Sequence, residues 1–452
     1  MKPPGPGPRS WHGLPAWESL KERLRPYYLR GAYFPLVPTG RPAAFRACWE
    51  NPVQPLEPTG FLDPRRAGST TYLFLPMIDW HTRIQRSQQL ARALAAGGNR
   101  CFYLNPNLGR QFPTLYRFDR GPKASRIDDS IFELHVRLPR EPVFHHRLLT
   151  EDESALLAGH LSTVRSLAGR SVVQIVSLPT WLDAAEQLRR RFGWPIVYDC
   201  HDFLPGFDTT AKSVIQAEAR LLRAADFVVF SSDYLAELTV TRHPDAAAKS
   251  TIIHNAADFD HFAPAANRPA SGPAPIAGYV GAIEDWFDAE AVRLAAERNP
   301  RVRFRLIGCV DNRRVAALSA LPNVELLGEI PYSKLPAHMA HFDVGLVPFR
   351  DLPLTRAASP IKIFEYFAAG LPVLARALPE TQRMGELLTL AESPALFADR
   401  VETALSTDSP RARQQRMEWA ERESWGARAA ELIAVVETLS SKPRSHAAKR
   451  TA

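Results

Sequence analysis

The sequence predicts an α/β protein built as two parallel-sheet domains facing each other across a cleft. Three observations carry this. From residue 69 onward, apolar runs of strand length alternate with amphipathic stretches of helix length. The strand-like runs are apolar throughout rather than alternating, so helices must cover both faces of the sheet. A Pro/Ala/Gly segment, "APAANRPASGPAP" at 263–275, has no apolar period, and a second series of the same kind follows it.

The elements follow in order. "TYLFLPMI" reads as a buried strand, "RIQRSQQLARALAAGG" as a helix closed by glycine, and "RCFYLNP" as the next strand. "SVVQIVS", "PIVYDC", "DFVVFSS" and "STIIHN" read as further strands. "PTWLDAAEQLRRRFG", "AKSVIQAEARLLRAA" and "DYLAELTVTRHP" read as the helices between them. After the linker, "IAGYVGAI", "VRFRLIG", "NVELLGEI", "DVGLVPF" and "LPVLA" are strands, with "AEAVRLAAERNP" and "SKLPAHMAHF" as helices. "WAERESWGARAAELIAVVETLSS" reads as a terminal helix or helix pair. The expected organisation is a Pro/Arg-rich extension over 1–68 and a first domain over 69–262. The linker is 263–275, the second domain 276–424, the terminal helix 425–439 and a basic tail 440–452.

Charge is placed unevenly. Residues 1–68 hold ten Lys/Arg against five Asp/Glu, and 440–452 hold four Lys/Arg and no acid, so the net +8 belongs to the two ends. A nucleic-acid binder needs its basic face on a folded module, and none is expected here. The ends read either as solvated tails or as weak contacts with an anionic membrane surface. The segment "WESLKERLRPYYLRGAYF" at 17–34 has room for a short amphipathic helix. Cys48, Cys101, Cys200 and Cys309 are scattered, which argues against a zinc site or a disulfide framework and for a reducing compartment. No apolar run is long enough to span a bilayer, and the start lacks a secretory signal core.

Parallel sheets gather ligands at the carboxyl ends of their strands. The stretch "SPIKIFEYFAAGLPVLA", 359–375, is the most informative place to look. Ser359 is an expected N-cap, Pro360 fits the first helical position, and Gly370 fits the stop. Lys362 then falls in the first turn, where the helix dipole disfavours a cation. Either the lysine snorkels to solvent and pairs with Glu365, or an anion sits at the helix tip and makes it welcome. Thr355, Arg356 and Ser359 add donors to the same loop, which favours the anion. Glu365, one turn in, is placed to accept from two sugar hydroxyls, so a nucleoside diphosphate matches both parts.

Other candidates are weaker. "YDCHD" holds Asp199, Cys200, His201 and Asp202, but neighbours in a strand face opposite ways, so they do not all converge and no metal is expected. His145–His146 reads as an exposed pair. "GAIEDWFD" at 281–288 either starts a helix capped by Asp288 or touches the ligand.

These same residues carry a resemblance. "SPIKIFEYFAAGLPVLA" is similar to the nucleotide-binding segment of bacterial glycosyltransferases of the GT-B fold related to glycosyltransferase family 4. That fold pairs two Rossmann-like domains across a cleft. "GYVGAIEDWFDAEAVRLAAERNPRVRFRLIG" resembles the opening of the donor domain, and "NVELLGEIPYSKLPAHMAHFDVGLVPF" its base-binding region. "DWHTRIQRSQQLARALAAGGNRCFYLNP", "PIVYDCHDF" and "ERESWGARAAELI" resemble the first loop and helix, the central strand and the last helix. The resemblance spans roughly 69–438. It implies transfer of a sugar from a nucleoside-diphosphate sugar to a glycan or lipid-linked acceptor, with retention and without metal or cofactor. It implies a cytoplasmic location, with the basic ends available to the inner membrane face.

Residue by residue, it places Glu365 on the donor ribose, Lys362 on the diphosphate, and Gly281 at the backbone turn beside the donor. Gly328 to Tyr332 flank the base, with Arg356 and Ser359 as further donor contacts. His201 and Asp202 stand near the transferred sugar, His201 orienting it and Asp202 fixing the imidazole tautomer. Asp79, Trp80, Arg83, Gln85 and Arg86 face the acceptor and the sugar ring. Two departures stand out. The family places a first glutamate eight residues before the second, and here that position is Ala357. The family's Arg and Lys after the first glycine turn are replaced by the acidic "AIEDWFD". Lys362 with Arg356 or Arg83 is the expected replacement clamp. Two rivals share the scaffold: a non-catalytic nucleotide-sugar-binding protein and a nucleotide-sugar epimerase.

Overall fold

The computed structural model describes residues 54–55, 70–80, 83–106, 123–136, 138, 147–168, 171–208, 210–267, 272, 274–310, 315 and 317–441. The expected helix at 17–34, the pair His145–His146 and residues 442–452 lie outside the described residues.

The first lobe is a nine-stranded sheet in the order β1-β4-β5-β3-β2-β6-β7-β8-β9. Its strands are β1 Gln54–Pro55, β2 Thr70–Leu75, β3 Arg100–Leu104, β4 Lys123–Arg126 and β5 Ile131–His135. They continue with β6 Ser171–Val176, β7 Ile196–Cys200, β8 Phe227–Phe230 and β9 Ser250–Ile252. The sheet is parallel except at one edge, where β4 runs antiparallel to both β5 and β1. The strands β2, β3, β5 and β7 are buried at nearly every position, as two-sided coverage requires.

The second lobe is a six-stranded, all-parallel sheet in the order β12-β11-β10-β13-β14-β15. Its strands are β10 Ile276–Val280, β11 Arg303–Ile307, β12 Val324–Gly328, β13 Val344–Val347, β14 Val373–Arg376 and β15 Thr389–Ala391. One apolar core serves this lobe and two, one per sheet face, serve the first. The last helix, Trp425–Ser441, leaves the second lobe and packs Trp425, Leu432 and Val436 against Tyr72, Leu90 and Val173 of the first.

Local rules account for two helix ends that frame the site. Asp288 caps Ala289–Arg298, its carboxylate accepting from Ala291 N–H at 3.0 Å. Gly370, at φ +66°, closes Ile361–Ala368: Leu371 N–H reaches Tyr366 O at 2.8 Å and Gly370 N–H reaches Phe367 O at 2.9 Å. That is a Schellman stop, and only glycine takes the left-handed step without strain. The start of the helix differs from expectation. The cap is Pro360 rather than Ser359, with no side-chain bond, and the Ser359 hydroxyl is buried without a partner. The expected linker is also partly folded, since 263–266 form a 3-10 turn and Ala265 enters the core.

Candidate active site

The second lobe presents glycine at the carboxyl ends of three adjacent strands: Gly281 after β10, Gly308 after β11 and Gly328 at the end of β12. The reason is close approach. A Cβ on Gly308, at φ +154°, would lie 1.8 Å from the carbonyl oxygen of Gly281. A Cβ on Gly281, at φ +141°, would lie 3.1 Å from Lys362 Cε and 3.3 Å from Nζ. The floor of the site is therefore bare backbone, against which the lysine is laid.

Lys362 sits in the first turn of Ile361–Ala368, as the sequence places it. Its ammonium lies over two rings, 5.2 Å from the Tyr279 centroid and 4.6 Å from that of Phe349. Burial, with Arg83 adding to it and Glu365 opposing, lowers its pKa to about 8. Glu365 is buried at 8 % exposure, and burial, with Asp258 adding to it and Lys362 opposing, raises its pKa to about 7. The two ions are thus held at the helix tip at a cost in desolvation that their mutual attraction only partly offsets.

The lip opposite is Tyr332. Its hydroxyl donates to Asp258 Oδ2 at 3.1 Å and accepts from Gln89 Nε2 at 2.7 Å, while its ring stacks on His261 at 4.6 Å and 10°. Gln89 belongs to the helix Arg86–Ala96 of the first lobe, so this contact spans the cleft. Arg83 spans it too: Nε donates to Glu329 Oε1 at 2.7 Å, and Nη2 to Oε2 at 3.2 Å.

The first-lobe wall centres on His201, just past β7. Its Nδ1 lies 3.0 Å from the carbonyl oxygen of Asp199 and 3.4 Å from Asp199 Oδ2, while Nε2 is 3.7 Å from Asp202 Oδ2. Burial would lower its pKa, but Asp199 and Asp202 outweigh it and hold the imidazole above its ordinary value. Asp199 is buried, which raises its pKa, yet Arg86 and His201 pull it down to about 2. Arg86 Nε meets Asp199 Oδ1 at 2.9 Å, and Nη1 donates to Asn255 Oδ1 at 3.1 Å and His254 O at 3.2 Å. The tautomer-fixing place expected for Asp202 therefore falls to Asp199, because the strand's alternation puts 199 and 201 on one side. Cys200 turns into the apolar core on the other.

Two further expectations need revision. Trp80 is buried at 4 % exposure, edge-on to Tyr103 at 5.0 Å, so it is core rather than acceptor surface. Arg356 makes no contact with Lys362 among the described residues. It is exposed and bonds Asp351 at 2.6 and 3.2 Å. The loop that carries Asp79 and Gln85 is held by Gln88, whose Oε1 accepts from Gln85 N–H at 3.2 Å and whose Nε2 donates to the Asp79 carbonyl at 3.0 Å. Ala357 is 1 % exposed within the first lobe's apolar cluster, where a carboxylate would need a buried partner.

Sequence reasoning missed the side chains that seat the Lys362 loop. Asn255 Nδ2 donates to Ser359 O at 2.7 Å, and Ser232 Oγ donates to Ala357 O at 2.7 Å. Both follow first-lobe strands, at the carboxyl ends that a parallel sheet marks in advance. Tyr279 and Phe349, which flank the lysine, read in the sequence only as strand residues. Between the lobes, Asp233 and His254 of the first and Glu380 of the second gather their ligand atoms within 4.8 Å. Arg383 stands 3.6 Å from Asp233 and 3.4 Å from Glu380, so this cluster already contains its cation.

With this geometry in hand, comparison is informative. A family model described as glycosyltransferase family 4 matches residues 86–261, and one described as glycosyl transferases group 1 matches 274–407, one in each lobe. The chain belongs to the family 4-related glycosyltransferases of the GT-B fold. A Bacillus subtilis protein, TuaH, named as a teichuronic acid biosynthesis glycosyltransferase, is 28% identical over 213 residues. That match spans 43% of this chain and 53% of TuaH, about half the relative's length. Sucrose-phosphate synthase from Thermosynechococcus elongatus superposes with a TM-score of 0.62 at 17% identity, covering 82% of this chain and 99% of that one. HepE from Anabaena, solved with UDP and glucose, gives 0.58 at 16% identity, covering 83% and 100%. At these identities the structural likeness speaks for the fold.

Proposed function

We propose that this chain transfers a sugar from a nucleoside-diphosphate sugar to a glycan or lipid-linked acceptor, with retention and without a metal, in cell-surface polysaccharide synthesis. The observation that carries the reading is the Lys362–Glu365 pair. A half-buried cation at a helix tip, against the bare backbone of Gly281, is a costly arrangement that a diphosphate would offset. Ser359, whose hydroxyl has no partner, borders the same tip. Glu365 takes the ribose hydroxyls, and the loop Gly328–Tyr332 borders the base.

In this reading the anomeric C–O bond breaks and its electron pair goes to the β-phosphate oxygen. Lys362, the helix tip and Arg83 meet that charge where it develops. The acceptor hydroxyl attacks the same face of the oxocarbenium-like sugar, and its proton passes to the departing phosphate. His201, held by Asp199, orients the sugar. Ala357 supplies no carboxylate, so no covalent intermediate is drawn there. The TuaH likeness supports polysaccharide synthesis as the setting.

The burial of Ala357 also favours a second reading, a nucleotide-sugar-binding protein without transfer. Incubation with UDP-, GDP- and dTDP-sugars separates the two. Slow release of nucleoside diphosphate supports the transferase, tight binding without release supports the binding protein, and an interconverted sugar would support an epimerase. No helix among the described residues is long and apolar enough to cross a membrane. The proposed cytoplasmic enzyme meets the inner membrane face through its basic ends. Co-sedimentation with anionic liposomes that survived deletion of 1–68 and 440–452 would overturn that attachment.

A further inference from the structure

The family's cations after the first glycine turn are replaced here by acids, and the structure shows what one of those acids faces. Arg83 reaches across the cleft from the first lobe. Glu329 follows Gly328 at the end of β12, and Glu284 follows the Gly281 turn at the end of β10, so both carboxylates belong to the second lobe. Arg83 meets Glu329 in two parallel hydrogen bonds, 2.7 and 3.2 Å, and its Nη1 stands 4.0 Å from Glu284 Oε1. The three side chains are partly exposed, at 26 %, 20 % and 41 %. The same guanidinium is close enough to Lys362 to disfavour its charge.

We propose that Arg83, Glu329 and Glu284 form a donor-operated latch between the lobes, which sets donor affinity and product release in the site read above as nucleotide-binding. A guanidinium binds a carboxylate and a phosphate in the same two-pronged way. Without donor, Arg83 is held by Glu329 and the lobes are tied. A diphosphate at Lys362 competes with Glu329 for that guanidinium. The donor therefore has to displace Glu329, and the nucleoside diphosphate product is expelled as Glu329 takes Arg83 back. Because the pair is partly exposed, a released Glu329 turns into water rather than into the protein interior, so the exchange is reversible. Glu329 is a positioning residue in this scheme, since it acts through Arg83 and touches no reacting atom.

The proposal rests on the nucleotide-binding reading, and one experiment separates the two. Binding of UDP, GDP, dTDP and ADP is measured by calorimetry on the full chain, as parent, Glu329→Gln, Arg83→Gln and the double variant. The latch requires Glu329→Gln to bind its nucleoside diphosphate at least several-fold more tightly than the parent, with a slower off-rate. Arg83→Gln must bind more weakly, and the double variant must match Arg83→Gln, because without the guanidinium there is nothing to compete for. Spin labels on the two lobes of ligand-free protein must also report a longer interlobe distance in Glu329→Gln than in the parent. If the parent binds a diphosphate and Glu329→Gln binds it equally or less tightly, the latch is wrong and the nucleotide site stands. If Glu329→Gln retains its gain in the Arg83→Gln background, the carboxylate acts directly and the latch is wrong. If the parent binds none of the four, the site reading falls and the latch with it.

Discussion

Burial disfavours the charged forms of both Lys362 and Glu365. Glu365, raised to about 7 by burial, binds a proton in the folded protein that it releases in the unfolded chain, so stability falls as pH rises from its ordinary value of 4.5 through 7. Lys362, lowered to about 8, does the reverse: stability rises with pH from 8 towards 10.5. Replacing Glu365 with Gln removes the first cost. Thermal unfolding at pH 7.5 is expected to show a gain on the order of 1–3 kcal/mol without ligand, alongside at least a tenfold loss of donor affinity. The same values set the activity profile. Donor capture requires Glu365 ionised and Lys362 protonated, so kcat/KM is expected to peak between about 7 and 8 and to fall on both sides. A flat profile from 6 to 9 would separate the chemistry from this pair. At this scale the sequence was legible where chemistry is local. Lys362 and Glu365 stood out because their positions conflict with the helix dipole or match a spacing. Trp80 misled because its partner Tyr103 on β3 is reached only through the fold, and Arg356 because Asp351, five residues before it, draws the guanidinium to the surface.

Elements place these residues. The Ile361–Ala368 helix owes its end to Gly370, a signal carried within a few residues, and that end was readable. Its beginning is set from outside, by Asn255 and Ser232 of the first lobe gripping the backbone at 359 and 357, and no neighbouring letter announces that. Asn255→Ala leaves the Ser359 carbonyl and one Arg86 donor without their partner. Chemical denaturation is expected to show a loss of about 1–3 kcal/mol, with a rise in donor KM. Asn255→Asp keeps an acceptor for Arg86 but cannot donate to Ser359. If the KM effect comes from the Ser359 bond, Asp behaves as Ala does. The glycine floor gives a sharper test. Gly308→Ala drives a methyl into the Gly281 carbonyl at a φ that side chains rarely adopt, and is expected to cost about 3 kcal/mol or more. An alanine variant with parental stability would mean that the three strand ends are not stacked as described.

At the scale of the molecule, both sheets were legible as alternating strands and helices, and the break between the series fell where the chain passes from one to the other. The antiparallel edge made by β4 and β1 was not legible. Its short strands carry no apolar run, and β1 draws on a segment that reads as irregular. The return of the Trp425–Ser441 helix to the first lobe was visible as a helix but not as a strap, since its partners Tyr72 and Leu90 lie over 300 residues away in the chain. Ending the chain at 424 uncovers that face and is expected to destabilise the first lobe by several kcal/mol and to promote aggregation, readable as an early unfolding transition in calorimetry.

The most direct test of the whole account is the affinity of a nucleoside diphosphate, against its monophosphate and its 2′-deoxy form, for the parent, Lys362→Met and Glu365→Gln. The parent should prefer the diphosphate and the ribose. Lys362→Met should bind di- and monophosphate alike, and Glu365→Gln should cease to distinguish ribose from deoxyribose. A Lys362→Met protein that gripped the diphosphate as tightly as the parent would contradict the assignment at its root.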